Sequence, residues 1–269
     1  MELTCRPIFI IGVFRSGTTL LRYIIDSHSQ ICCPPETDFL GPLTRLIDPQ
    51  ERSSNSLNDM GFDREHVQSR VRDMALYFFQ NYATSHNKPR WADKTPAYVD
   101  CIDEIAEVFP EAQFVMIYRH GFDQAESFTR KGTFTRDVFS GYVKEDEDVR
   151  IGATKYWADM TQNMLHFEAA NPDKCFRMRY EDLCEQSEQL LRPMFQFLDE
   201  PWEEQVLEYY KFNHDKGAED GRAAATRGFQ ISKDNYLEWS DELTKACTEF
   251  AKPVLDQLKY SILQKSAAT

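Results

Sequence analysis

The sequence predicts an α/β fold, a P-loop-type parallel sheet flanked by helices, from three observations. A strand-length apolar run, Pro7-Ile8-Phe9-Ile10-Ile11-Gly12-Val13, breaks at a glycine-containing turn and passes into an amphipathic stretch. The same succession recurs at Gln113-Phe114-Val115-Met116-Ile117-Tyr118-Arg119, followed by His120-Gly121 and a helical pattern towards Lys131. The candidate strands are separated by helical patterns, which calls for right-handed crossovers and parallel pairing.

The elements follow in chain order. After the first strand and the turn at Phe14-Arg15-Ser16-Gly17, Leu20, Leu21, Ile24 and Ile25 recur at helical spacing between Thr18 and His28. A short strand, Arg90-Trp91-Ala92-Asp93, precedes the break at Thr95-Pro96. A third strong candidate is Lys174-Cys175-Phe176-Arg177-Met178-Arg179-Tyr180. Helical stretches are expected at about 63–86, 98–109, 149–170, 186–198, 202–212 and 241–263. Two segments read as loops or lids. One runs from Gly132 to Asp148 and ends in four consecutive acids; the other runs from Asn213 to Ile231 and carries Arg222 and Arg227. With no repeat, linker or low-complexity tract, one domain over 1–269 is expected.

Composition bounds the partners. Hydrophobic residues make up 42% and aromatics 13% of the 269, which suits a packed core and argues against disorder. No apolar run approaches the ~20 residues that span a bilayer, and Met1 to Arg6 lacks signal-peptide architecture. Seven scattered cysteines include no C-x-x-C pair, so reduced thiols in a cytosolic protein are expected, without a metal site. Adjacent Cys32 and Cys33 read as packing rather than reactive residues. The net charge of −13 makes nucleic acid and acidic polysaccharide poor partners. It fits either a neutral or cationic acceptor or surface solubility alone. No membrane association is expected, and a homodimer is left open.

Gly12-Val13-Phe14-Arg15-Ser16-Gly17-Thr18-Thr19 has the spacing of a loop that turns backbone N–H groups towards a phosphate at a helix start. A nucleotide-triphosphatase version would carry lysine where Thr18 stands. Here the cation, Arg15, lies inside the loop, which points away from ATP with magnesium and towards a donor with less charge to neutralise. Read from residues alone, a plain glycine turn, a metal-dependent kinase and a non-catalytic nucleotide-sensing module stay open.

The run Arg15-Ser16-Gly17-Thr18-Thr19-Leu20-Leu21 after a strand resembles the 5′-phosphosulfate loop of sulfotransferases that use 3′-phosphoadenosine-5′-phosphosulfate (PAPS). The pattern is nearest that of tyrosylprotein sulfotransferases and their bacterial relatives. It extends from Phe9 to about Arg130, and more faintly through Arg179-Tyr180-Glu181-Asp182-Leu183. The resemblance implies a single sulfotransferase-like domain that takes PAPS as donor, releases 3′,5′-adenosine bisphosphate (PAP) and needs no metal. It implies that Arg15, Ser16, Gly17, Thr18, Thr19 and Leu20 hold the 5′-phosphosulfate, Arg15 also acting in catalysis, with Glu36 as base and Lys94 stabilising the bridging oxygen. Arg119 and Ser127 would clamp the 3′-phosphate and Tyr180 would contact the nucleotide. Arg227 and Lys233, near Thr226 and Gly228, would close over the donor.

Beside these roles stand plainer readings. Glu36 suits the positive end of a following helix, and Tyr180 suits core packing. Asp93 reads as an alternative base or as the ion-pair partner of Lys94. Pro96 occupies the place where a related motif carries a histidine base, which strengthens Glu36. Tyr156, Trp157 and Phe139 could line a pocket, although their spacing suits a core. His120 departs from an expected aspartate and receives no catalytic role. Asp38 stands where an acceptor-binding basic residue is expected. The expected acceptor is therefore a small molecule, neutral or cationic, with O- and N-transfer both open.

Overall fold

The computed structural model describes residues 6–130, 141–217 and 226–263. Five strands form a sheet in the order β2-β3-β1-β4-β5, parallel at every pairing. They are β1 (Ile8–Ile11), β2 (Ile31–Cys32), β3 (Arg90–Asp93), β4 (Gln113–Tyr118) and β5 (Cys175–Arg179). The first four are buried along their whole length, which is why β1 and β4 read as near-continuous apolar runs rather than alternating ones.

Alternation still decides which side each residue serves. Phe9, Ile11, Phe114 and Met116 face one core; Ile8, Ile10, Val115 and Ile117 face the other. The first core is covered by α4 (Arg64–Ser85), α5 (Ile102–Val108), α6 (Gly121–Arg130), α7 (Val149–Ala170) and α10 (Asp241–Gln257). The second is covered by α1 (Thr18–Asp26) and α9 (Ser187–Phe197). Phe79 stacks on Trp91 at 4.2 Å, fixing α4 over β3.

Several boundaries differ from the periodicity, each for a local reason. The stretch at 98–109 is a 3₁₀ turn, Pro96–Asp100, followed by α5, because Cys101 between them leaves helical dihedrals. The stretch at 186–198 starts earlier, as α8 (Tyr180–Glu185), and breaks at Gln186, whose dihedrals are neither helical nor extended, before α9. The stretch at 202–212 is 3₁₀ and kinks at Glu208. The last helix stops at Gln257, two residues before Lys259 turns left-handed. The helix expected after Glu36 is the short α2 (Leu40–Thr44), while the two-residue β2 and α3 (Arg52–Asp59) have no counterpart in the periodicity. Residues 131–140 and 218–225, with Phe139 and Arg222, lie outside the described residues.

The described cysteines are unpaired, with Cys32, Cys33 and Cys247 buried. Burial pushes the Cys32 thiol up to about 12 and raises that of Cys33 as well, so both are poor nucleophiles at neutral pH.

Candidate active site

Parallel pairing brings four strand ends to one edge of the sheet. Phe9 lies opposite Asp93, Ile11 opposite Met116, and Tyr118 opposite Arg179. The glycine loop leaves β1, Lys94 leaves β3, Arg119 leaves β4 and Tyr180 leaves β5, all at their carboxyl ends. In open α/β sheets that edge is where ligands bind.

The loop after β1 is built by backbone conformations that few residues adopt. Arg15 has φ 72° and Gly17 φ 97°. Ser16 N–H donates to the Val13 carbonyl at 3.1 Å, closing the turn, and α1 begins with no side-chain cap. The first N–H groups of a helix have no intrahelical acceptor, so the start of α1 offers donors with a favourable dipole to an anion. Gly17 is required here twice over: beyond its positive φ, a Cβ would sit 2.5 Å from Cδ2 of Tyr180. The second turn of α6 supports the loop from behind, with Gln124 Nε2 donating to the Val13 carbonyl at 3.1 Å and to that of Phe14.

Two arginines converge on this loop. Arg15 Nε donates to Ser127 Oγ at 3.1 Å. Arg119 Nη1 donates to the Arg15 carbonyl at 2.7 Å and Nη2 to the Ser232 carbonyl at 2.6 Å, while its guanidinium lies 4.6 Å from the centroid of the Tyr180 ring. Tyr180 in turn donates to the Gln230 carbonyl and accepts from Ser232 N–H, each at 3.3 Å. Arg15, Ser127, Arg119 and Tyr180 thus form one cluster that also holds residues 230–232 of the late segment. Ser16 Oγ, 1% exposed as a residue, and Arg119 Nε have no partner among the described residues. Buried polar atoms without partners at an uncapped helix start fit a phosphorylated ligand.

Thr18 and Thr19 are buried in the first turn of α1 and Leu20 packs partly against the second core. Two expected residues lie apart from the cluster. Arg227 is exposed, and Lys233 is exposed and pairs with Glu185. Thr226 and Gly228 lie beside Arg227, and Gly228 accepts from Tyr209 O–H at 2.7 Å.

The second half of the site joins Glu36 to Lys94. Lys94 Nζ donates to Glu36 Oε1 at 2.5 Å, the lysine side chain 0% exposed and the glutamate 21%. Glu36 reaches this position because Arg22, a buried arginine of α1, donates to the carbonyls of Cys33 and Pro34 at 3.1 and 2.7 Å. Arg22 also donates to the Asp215 carbonyl at 2.8 Å. The segment carrying Glu36 is therefore fixed to the same helix that begins at the loop.

Asp93 is not the lysine's ion-pair partner. Its Oδ1 accepts Lys94 N–H at 2.9 Å, and its Oδ2 accepts Tyr98 O–H at 2.8 Å and Thr37 O–H at 3.0 Å. Burial pushes its carboxyl up to about 6, the hydrogen bonds opposing that rise. Three donors and full burial leave it no approach to an acceptor.

His120 is buried, stacked on Tyr236 at 4.8 Å, and its N–H donates to Glu181. Burial pulls its imidazole down to about 4, so it packs as a neutral ring. Trp157 is core, its indole against Gly121, where a Cβ would lie 2.5 Å from the ring. Tyr156 meets Tyr142 edge-on at 5.6 Å. Sequence reading missed Thr37, Tyr98, Arg22, Gln124 and Asp123. The last accepts Asp234 and Asn235 N–H at 2.9 and 2.8 Å and so anchors the late segment. Only the adjacency of Thr37 to Glu36 and of Tyr98 to the Lys94-Thr95-Pro96 break was available as a signal.

The model of the sulfotransferase family matches residues 7–204. The chain is 28% identical over 211 residues to a protein-tyrosine sulfotransferase of Drosophila melanogaster, covering 76% of this chain and 40% of that protein. It is 30% identical over 206 residues to protein-tyrosine sulfotransferase 1 of Danio rerio, covering 75% and 55%. The chain spans about half or less of the length of these curated relatives. Among solved structures, the sulfotransferase domain from the curacin biosynthetic pathway aligns with a TM-score of 0.63 at 23% identity, over 97% of this chain and 100% of that one. A mouse sulfotransferase complexed with PAP aligns at 0.52 and 14%, over 96% and 89%. At these identities the solved structures establish the shared fold. The expectation of a cytosolic protein is corrected by the relatives, which are named protein-tyrosine sulfotransferases. Among the described residues no helix is long and apolar enough to cross a membrane.

Proposed function

We propose the following reaction for this chain, which belongs to the sulfotransferase family: it moves a sulfuryl group from PAPS to a hydroxyl or amine of an acceptor and releases PAP. The observation that carries this reading is the Glu36–Lys94 pair, a carboxylate and an ammonium 2.5 Å apart on the sheet edge shared with the glycine loop. Glu36 takes the acceptor proton as the acceptor atom attacks sulfur. The bond from sulfur to the bridging oxygen breaks, its electrons pass to the departing PAP, and Lys94 stabilises the charge on that oxygen. The start of α1, from Ser16 to Leu20, holds the 5′-phosphate together with Arg15. Arg119 and Ser127 hold the 3′-phosphate, a planar guanidinium suiting bidentate contact with phosphate. Tyr180 contacts the nucleotide, and Arg227 and Lys233 lie in the segment that closes over it. No metal enters the scheme; among the described residues no group of acids, histidines and cysteines is arranged to hold one.

A cavity of about 310 Å³ is lined by Asp38, Arg45, Thr95, Tyr98, Asp100 and Glu104 among others, residues that follow Glu36 and Lys94 in the chain, although neither member of the pair lines it. Its size suits one small acceptor or one side chain, and its acidic lining favours a neutral or cationic group. The relatives named protein-tyrosine sulfotransferases favour a second acceptor, a tyrosine within a protein. The test is PAP release from PAPS with tyramine, 4-nitrophenol, and tyrosine peptides carrying either basic or acidic flanks. Transfer to tyramine above the acidic peptide is the expected ranking. The reverse order would assign a protein acceptor, and no transfer to any of them would remove the reaction.

A further inference from the structure

The carboxylate of Glu36 stands 21% exposed at the end of a loop, yet it is aimed at one buried ammonium. Holding it there requires an anchor next to it, and that anchor is Thr37. Its N–H donates to Thr95 Oγ1 at 3.2 Å and its hydroxyl to Asp93 Oδ2 at 3.0 Å, with Tyr98 O–H 2.9 Å away. On its far side Asp38 has left-handed backbone, φ 52°, a conformation that survives only where its surroundings impose it.

The groups that grip Thr37 belong to the rigid part of the molecule. Asp93 ends β3, paired in register with Phe9 of the central strand. The Tyr98 ring is buried and meets the Phe9 ring at 6.4 Å, and the Tyr98 backbone N–H donates to the Thr95 carbonyl at 3.0 Å. Asp93 also accepts Lys94 N–H at 2.9 Å, so one carboxylate fixes the backbone of the lysine and, through Thr37, the backbone of its partner. Burial and the neighbouring carboxylate raise the Tyr98 phenol, which keeps it a donor throughout the working pH range.

We propose that Asp93 and Tyr98 are positioning residues that act through Thr37 to hold the Glu36 carboxylate on Lys94. The proposal rests on the sulfuryl-transfer reading of that pair. It also assigns a use to the buried Asp93 carboxylate, which has no direct part in the proposed reaction. Apolar residues at both places would fill the same space, but they would leave Thr37 with one anchor, Thr95, in place of two.

The test compares wild type with Thr37→Val and Thr37→Ser, with Asp93→Asn as a fourth protein. PAP affinity is measured by calorimetry, turnover with PAPS and whichever acceptor the wild type sulfates, and the Thr37→Val structure by crystallography. The expected result for Thr37→Val is a kcat lower by about 10–100-fold with the KM for PAPS and the PAP affinity held within about twofold, as for a group displaced by about an ångström. Thr37→Ser restores most of the rate, and the Thr37→Val crystal structure shows Glu36 turned away from Lys94. A Thr37→Val enzyme that turns over like wild type, a serine variant that restores nothing, or a crystal structure with the pair intact would each overturn the proposal. If the wild type sulfates no acceptor, the reaction reading fails on its own, and the Thr37→Val crystal structure still decides whether Thr37 holds the pair.

Discussion

Replacing Glu36 with glutamine removes a charge and a proton acceptor while keeping the shape of the side chain. Two effects follow from the structure, and they are separable. The first is catalytic. A positioned general base contributes about 10²–10⁴-fold, equivalent to about 3–5 kcal/mol of barrier. The second is structural. Lys94 is 0% exposed and donates to Glu36 at 2.5 Å. Breaking a fully buried ion pair from one side costs about 3–5 kcal/mol. Glu36 is partly open to water and Lys94 has further contacts, so the lower figure of about 1–2 kcal/mol is expected. For a chain of this size that is a fall of about 2–6 °C in Tm. The assay pairs thermal unfolding and PAP calorimetry with turnover on PAPS and the acceptor identified for wild type. Glu36→Gln should bind PAP like wild type, melt a few degrees lower and lose at least about 100-fold in kcat. Turnover within about threefold of wild type would refute the assignment of Glu36 as base, whatever the shift in Tm.

Other outcomes follow from the same geometry. Gly17→Ala places a methyl 2.5 Å from the Tyr180 ring in a left-handed conformation, which costs about 1–2 kcal/mol in backbone alone. PAP affinity by calorimetry should fall at least about tenfold. Gly61→Ala, at φ 90° with open space around its Cβ, is the control, losing stability without losing PAP. Asp93 is an acid whose folded pKa lies above its unfolded value, raised by burial to about 6. Its favourable contribution is complete below the unfolded pKa and is lost as pH rises through about 6, a change of about 3 kcal/mol. The stability of wild type relative to Asp93→Asn should therefore shrink between pH 4 and 7 in chemical denaturation, and a difference that grows with pH would reverse the sign of the burial effect. Chelating divalent metals with EDTA should leave PAPS turnover unchanged; loss restored by magnesium would favour a kinase-like site.

The strong strands were legible because parallel strands buried on both faces carry unbroken apolar runs, and because β1 and β4 end where Gly12 and Arg119 change the chemistry. The meeting of the loop, Arg119 and Tyr180 was legible only as far as strand ends gather at one sheet edge. That Tyr180 lies against Gly17 and under Arg119 depends on the register of β4 with β5. The strand β2 was hidden because two residues, Ile31 and Cys32, carry no period. Asp93 was misread for a related reason. At a strand end, successive side chains point to opposite faces, so an acid adjacent to a lysine in sequence turns away from its ammonium. Its partners, Thr37 and Tyr98, arrive from a loop and a 3₁₀ turn whose paths no pattern in the sequence specifies. His120 looked like a departure from a site residue and turned out to be a packed neutral ring.

The most direct measurement is calorimetric titration of the protein and of Arg119→Ala with PAP, and in parallel with ATP plus magnesium. The expected result is metal-independent binding of PAP by wild type, weakened about 10–100-fold in Arg119→Ala as one charge-assisted phosphate contact is lost, with ATP and magnesium bound far more weakly. Absence of PAP binding together with magnesium-dependent binding of ATP would contradict a sulfuryl donor at this loop.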